Sequence, residues 1–319
     1  MPAIAHKELF EQANRLAFSN GYLVAYNDEV SIFDHLPDCE SLAGAVDGRK
    51  LYELLNKSTA EAVTLSSDDG KLNVRAGRVK AAFDIVPVKL PLSEIDRTGE
   101  DLTLPDDFLS VLGLISGSCA REMSRPVLTC VRVQGDWLEA ADGYRMARSH
   151  FEGADLPPIL LPVTAAEIVV DYTVVTLGVG TGGEWARFSS SDGKTIVFTR
   201  LSSGNYPDLS ALYDVSGVNV ELPDLRDSLD RARIFAKRDH KIDEQINLEL
   251  RPNQIEIKAI CEGGQFAETV RWKGDITAAF SIHPDFLSGA LSHSTTCTVG
   301  KDKIRFRGTN WEHVIALRT

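Results

Sequence analysis

One unit recurs six times along this chain of 319 residues: a short amphipathic helix followed by a β-hairpin. Helical spacing of apolar residues appears over 6–18, 47–57, 105–116, 164–172, 223–236 and 283–293. Each stretch is followed by period-2 alternation around a Gly, Asp or Asn turn. Leu72, Val74 and Ala76 alternate with polar neighbours, as do Ile255, Ile257 and Ala259. Pro105-Asp106, Pro223-Asp224 and Pro284-Asp285 place a proline and an acid at helix starts. There no intrahelical partner is needed for the N–H, and the helix dipole favours negative charge.

Two such units make a pseudo-symmetric domain of two helices on sheet, of about 100 residues, which is an ordinary domain size. The chain therefore divides into three α+β domains, 1–95, 96–214 and 215–319. Segments 87–101 and 207–219 combine Pro, Gly and charge and are expected to be linkers. The first domain is expected to be abbreviated. Its helix over 6–18 runs almost directly into Gly21-Tyr22, leaving little room for a strand.

Composition narrows the function. Thirty-four basic and 46 acidic residues give a net charge of −12, which argues against tight binding of nucleic acid by charge alone. It does not exclude a protein that holds DNA topologically and wants only weak phosphate contacts. The five cysteines are odd in number and widely spaced, with no C-x-x-C pair, so neither a disulfide framework nor a metal site is expected. No apolar run is long enough to span a bilayer and the first residues have no apolar signal core, so the expected location is cytoplasmic. Gly178–Gly183 formally fits G-x-G-x-x-G, but an alternating stretch follows where a dinucleotide site needs a helix. The expected structure there is a flexible hairpin loop. Asp142-Gly143 is expected to be a turn rather than a catalytic acid.

Segment 125–147, RPVLTCVRVQGDWLEAADGYRMA, resembles the second-domain strand pair of the bacterial DNA polymerase III β sliding clamps. That pair reads R-P-V-L-T-G-V and then A-T-D-G-H-R-L-A. Cys130 stands for Gly, Ala141 for Thr, Tyr144 for His and Met146 for Leu. Segment 199–209, TRLSSGNYPDL, resembles the family's S-K-L-x-x-G-x-F-P-D-Y. Segments 45–55 and 73–78 resemble its first-domain helix and strand, and the final HVIALRT resembles V-V-M-P-M-R-L. These matches run in order across all three expected domains. The short first domain and the drifted positions are compatible with a divergent or phage-encoded member.

The resemblance implies the DNA clamp fold: three pseudo-repeated domains, helices lining a ring and antiparallel sheets outside, with two protomers joined head to tail. It implies no catalysis and no cofactor. Its partners would be double-stranded DNA, held without regard to sequence, a DNA polymerase, a clamp loader, other clamp-binding proteins and a second copy of the chain.

By position, the partner-peptide groove would comprise Leu128, Gly143, Tyr144, Arg145, Met146, Pro207, Leu212, Val314, Ile315 and Leu317, with His283, Phe286 and Arg318 at its edge. An apolar concavity with a few polar anchors suits that role. In an ordinary sheet, Leu128, Ile315 and Leu317 would simply be core residues. Arg49, Lys50, Arg121 and Arg125, with Arg15, Arg231 and Arg233, would face DNA phosphates; any one of them also fits a solvated surface charge. The dimer seam would join Leu102 and Leu104 to Ile234 and Phe235, the last two being equally compatible with helix burial. Two other readings stand beside the clamp: a clamp-fold binding platform without ring closure, and an enzyme on a repeat β scaffold. The second lacks any convergent nucleophile, metal-ligand or phosphate-loop pattern.

Overall fold

The computed structural model describes residues 3, 4 and 11–318. Among them are five α-helices: α1 (Gly48–Asn56), α2 (Phe108–Ser116), α3 (Val163–Val170), α4 (Arg226–Ala236) and α5 (Pro284–Leu291). None is long and apolar enough to cross a membrane. The chain forms two compact units. One comprises Met1–Ser116, Val133–Gly135 and Ala154–Gly204; the other comprises Gly117–Arg132, Asp136–Gly153 and Asn205–Thr319.

In the first unit, an eight-stranded antiparallel sheet runs in the order Gly44–Asp47, Arg15–Ser19, Tyr22–Tyr26, Val30–His35, Thr195–Arg200, Trp185–Ser190, Val174–Val179, Asp101–Thr103. Its central join pairs Phe33 with Ile196 and Ser31 with Phe198, two strands far apart in sequence. Tyr26, Trp185, Phe33 and Phe198 form a core into which Leu90 and Ile95 of the expected linker also pack. Helices α2 and α3 lie against one another through apolar faces that bury Leu112, Ile115, Ala166 and Val169. A separate three-stranded sheet, Val63–Asp68, Lys71–Ala76 and Val79–Asp84, buries Leu72, Val74 and Ala76 from its middle strand, as the alternation predicts.

The helix expected over 6–18 is corrected at its C-terminal end. Arg15–Ser19 is a strand, with Leu16, Ala17 and Phe18 buried; residues 6–10 of that expectation lie outside the described residues. Asn20 and Gly21 both have positive φ (52° and 76°), which closes a two-residue hairpin onto Tyr22–Tyr26. Such turns match the right-handed strand twist, so this Asn-Gly pair outweighs the helical spacing before it. The strand thought to lack room is therefore present.

The loop after Val174–Val179 is also not free, contrary to the flexible loop expected. The Asp96 carboxylate accepts hydrogen bonds from the backbone N–H of Thr98 (2.9 Å) and Gly182 (3.0 Å). The Thr181 N–H donates to Thr98 Oγ1 at 3.0 Å. A Cβ on Gly180 would stand 2.6 Å from Asp96, and one on Gly99 2.0 Å from the Val179 carbonyl oxygen. The glycines are there for close approach of two backbones. The loop leads into the strand Trp185–Ser190, not a helix.

The second unit repeats this plan. Its part of a larger antiparallel sheet includes, in order, Trp137–Ala141, Arg145–His150, Trp311–Ala316, Lys303–Arg307, Thr296–Gly300 and Gly217–Glu221. Again two strands far apart in sequence are joined, here pairing Met146 with Val314 and Arg145 with Ile315. A four-stranded sheet, Gly264–Arg271, Gln254–Cys261, Ile246–Arg251 and Ala278–Ile282, packs against α4. Ile255, Ile257 and Ala259 are buried from the sheet, and Leu229, Ala232 and Ala236 from α4. Burying such aliphatic side chains stabilises by roughly 1.5–3 kcal/mol each for the larger ones.

Of the three Pro-Asp pairs, only Pro284 opens its helix directly. Arg226 begins α4, with the Asp224 carboxylate accepting its N–H at 3.1 Å, and Phe108 begins α2. The five cysteines Cys39, Cys119, Cys130, Cys261 and Cys297 are free thiols.

Candidate functional site

The expected groove residues all belong to the second unit. Asp142 builds the turn that presents them. One of its carboxylate oxygens accepts the N–H of Tyr144 and of Arg145, each at 2.9 Å, while Gly143 takes φ +91°. The other accepts the Arg145 Nε–H at 2.9 Å. The Arg145 guanidinium also donates to the Gly117 carbonyl and lies 4.1 Å over the Phe286 ring. Held by two hydrogen-bonding partners and a π face, it is a fixed planar cation.

Phe286 stacks at 4.2 Å on His283, which caps α5 by accepting the Asp285 N–H through Nδ1 at 3.2 Å. Nε2 therefore carries the proton and donates to the Lys241 carbonyl at 2.9 Å. Burial pushes the His283 pKa down, favouring the neutral ring that this capping requires. Burial alone would raise the neighbouring Asp285. The Lys241 ammonium at 2.9 Å and Arg233 at 2.7 Å outweigh it and hold that carboxyl below its usual range.

Around this frame lies a cavity of about 830 Å3, lined by Leu128, Gly143, Tyr144, Arg145, His283 and Phe286 among the expected groove residues. Arg121 and Arg125, expected to face DNA, line the same cavity, as do Cys119 and Lys241. Beside it, Leu128, Met146 and Val314 form an apolar cluster with Leu209, Tyr213 and Val215. Met146 is only 5% exposed, whereas Tyr144 and Leu212 are 44% and 47% exposed. Pro207 is exposed as well.

Strand register separates two of the expected residues. Met146 faces Val314 across the ladder, and Arg145 faces Ile315. Successive side chains alternate between faces, so Ile315 points away from the Met146 surface. It is 1% exposed. Leu317 is buried, and Arg318 is exposed with its backbone paired to Ser281. Sequence reasoning passed over Leu209, Tyr213 and Val215, apolar residues within a segment taken for linker. Arg148 was missed too; its guanidinium lies 4.0 Å over the Tyr213 ring. The available signal was the presence of apolar side chains in 207–219.

Among the other expected DNA-facing residues, Arg15 opposes Asp47 in register, and Lys50 reaches the Asp47 carboxylate at 3.2 Å. Arg49 lies 3.8 Å from Glu53. Arg231 pairs with Glu268 at 2.7 Å, and Arg233 with Asp285. Of the seam residues, Ile234 is 63% and Leu102 42% exposed, while Leu104 is 6% exposed. Phe235 is half-buried and stacks on Phe266 at 5.9 Å.

No protein-family model matches the sequence, and no curated protein does. Solved structures do. The DNA polymerase III β chain of Streptococcus pneumoniae aligns at TM-score 0.81 over 100% of this chain and 95% of its own, with 16% identity. The chain has the fold of the bacterial sliding clamps. The β subunit of Thermotoga maritima aligns at TM-score 0.80 and 15% identity, over 100% of this chain and 94% of that one. A Pseudomonas aeruginosa sliding clamp solved bound to griselimycin aligns at 0.80 and 16% identity, over 99% and 94%. At these identities the clamp fold is kept with most of its side chains replaced.

Proposed function

We propose that this chain is a DNA sliding clamp: a processivity factor, without catalysis of its own, that closes with a second copy into a ring around duplex DNA in the cytoplasm. The observation that carries this reading is the alignment with solved sliding clamps over nearly the full length of both chains. In this reading the chain keeps the three-domain division at about 95 and 214, and Leu102 and Leu104 meet Ile234 and Phe235 of the second copy. Exposure of Leu102 and Ile234 in the single chain supports that seam, because apolar side chains there gain by being covered.

Arg15, Arg49, Lys50, Arg121, Arg125, Arg231 and Arg233 would touch phosphates, which position DNA without reading its sequence. Several already have carboxylate neighbours, so the contacts would be weak enough for sliding. Polymerase, clamp loader and other partners would dock a short peptide over the Leu128–Met146–Val314 cluster and the cavity beside it. Exposed Tyr144, Pro207 and Leu212 would wall that groove, with Arg145 as its fixed cation. Tethering then makes polymerase rebinding intramolecular, at an effective concentration of roughly millimolar. Light scattering tests the assembly: the proposal requires twice the 35.0 kDa chain mass, and a monomer at working concentrations would contradict it.

A further inference from the structure

One face of the eight-stranded sheet of the first unit is only partly covered: Val24, Phe33 and Phe198 are buried beneath the connecting segment, while Ile196 and Ser189 are half-buried. Val24, Phe33, Ile196 and Ser189 stand directly opposite one another on successive strands, so they share that face. Phe198 and Arg187 form the next row. A cavity of about 720 Å3 lies over these rows, bordered by Leu92 and Arg97 of the connecting segment. The second unit has the counterpart surface: Met146 opposite Val314, with the connector residues Leu209 and Tyr213 packed on it.

Charge says what this cavity takes. The Arg97 guanidinium lies 4.9 Å from the Phe33 ring centre and 5.8 Å from that of Phe198. Among the described residues, no carboxylate pairs with it. Arg187, the other cation, is paired with Asp101 at 2.9 Å. The cavity thus keeps one uncompensated positive charge in a chain of net charge −12. A guanidinium held over an aromatic ring keeps N–H groups that can bind a carboxylate.

We propose that this cavity is a second docking site, for an acidic peptide segment that sets an apolar side chain against Ile196 at the cavity wall and a carboxylate on Arg97. A nucleic-acid strand fits less well, since its affinity comes from neutralising several phosphates and the cavity offers one free cation. The inference does not depend on the clamp reading, because its test reads binding alone.

The test is selection of a random heptapeptide phage library on the full-length protein, followed by anisotropy of the enriched peptides with fluorescent labels. The expected peptides place Asp or Glu beside Leu, Ile or Phe. Arg97→Glu should weaken them by at least about tenfold, the loss of one charge-assisted contact. Arg97→Lys should keep part of the affinity, and Leu212→Asp, on the other unit, all of it. Arg97 is exposed, so its substitution spares the core, and thermal unfolding of each variant checks this. No enrichment, or peptides indifferent to Arg97→Glu, overturns the proposal. So do peptides that respond to Leu212→Asp instead, or a labelled oligothymidylate that binds in an Arg97-dependent way while peptides do not.

Discussion

Leu212→Asp separates docking from folding at the proposed groove. Leu212 sits on the short turn Ser210–Tyr213 with 47% of its surface exposed, next to Tyr213, which packs with the buried Leu128, Met146 and Val314. Full burial of a leucine stabilises by about 1.5–3 kcal/mol, so a half-buried one costs the fold about 1 kcal/mol when lost. That lowers the melting temperature by only about 2–4 °C in units of this size. A bound peptide would cover Leu212 completely, and an anchor contact of this kind is worth about 2 kcal/mol. Affinity should therefore fall about 30-fold. The assay is anisotropy of a labelled clamp-binding peptide from a bacterial polymerase, with thermal unfolding run beside it. Binding within about threefold of the wild type, with the fold intact, would refute the groove assignment. Met146→Arg is a poorer probe. It would bury a cation in an apolar cluster at 5% exposure, so lost binding would be confounded with lost structure.

Ile234→Asp should give folded monomers by light scattering, since Ile234 is 63% exposed and the charge would enter the proposed seam; persistent dimers would move the seam elsewhere. Burial, aided by Arg145 and His293, pushes the His313 pKa down to about 3, so the ring stays neutral in the fold while the unfolded chain takes up the proton near its usual value of about 6.5. That contribution is full above about pH 6.5 and is lost as pH falls towards 3, with about 2 kcal/mol of it gone at pH 5. Thermal unfolding at pH 7 and pH 5 measures it, and an unchanged difference in His313→Leu would count against this origin. Gly99→Ala should destabilise the first unit by at least about 1–3 kcal/mol in denaturant unfolding. Its φ is +92° and the added Cβ would meet the Val179 carbonyl oxygen at 2.0 Å, so wild-type stability would contradict the close approach.

Local structure was legible wherever it is set locally. Helices α1 to α5 follow from apolar spacing, and the hairpin at Asp69-Gly70 from alternation around a turn. The first strand was misread because Leu16, Ala17 and Phe18 continue a helical spacing, while the Asn20-Gly21 hairpin that decides the matter lies after them. Two segments taken for linkers pack their apolar residues, Leu90 and Ile95 in one and Leu209, Tyr213 and Val215 in the other, onto the larger sheets. Pro, Gly and charge marked them as irregular, which they are. Irregular backbone still buries side chains when a sheet face lies beneath it.

The site was legible as a set of residue types rather than as a surface. Whether Met146 and Ile315 share a face depends on the register between Arg145–His150 and Trp311–Ala316, strands far apart in sequence. No local pattern encodes that register. Nor does composition reveal that Arg121 and Arg125 line a cavity with Tyr144, because the loop that carries them is placed by its packing.

Retention on DNA of different topology tests the central claim most directly. The chain is loaded on nicked circular duplex with a clamp loader, and half of the sample is then linearised. Encirclement predicts a dimer that stays on the circles through a salt wash, which removes phosphate contacts, and is lost from the linear ends. Equal retention on circles and linear DNA, or none on either, would contradict a clamp that holds DNA by surrounding it.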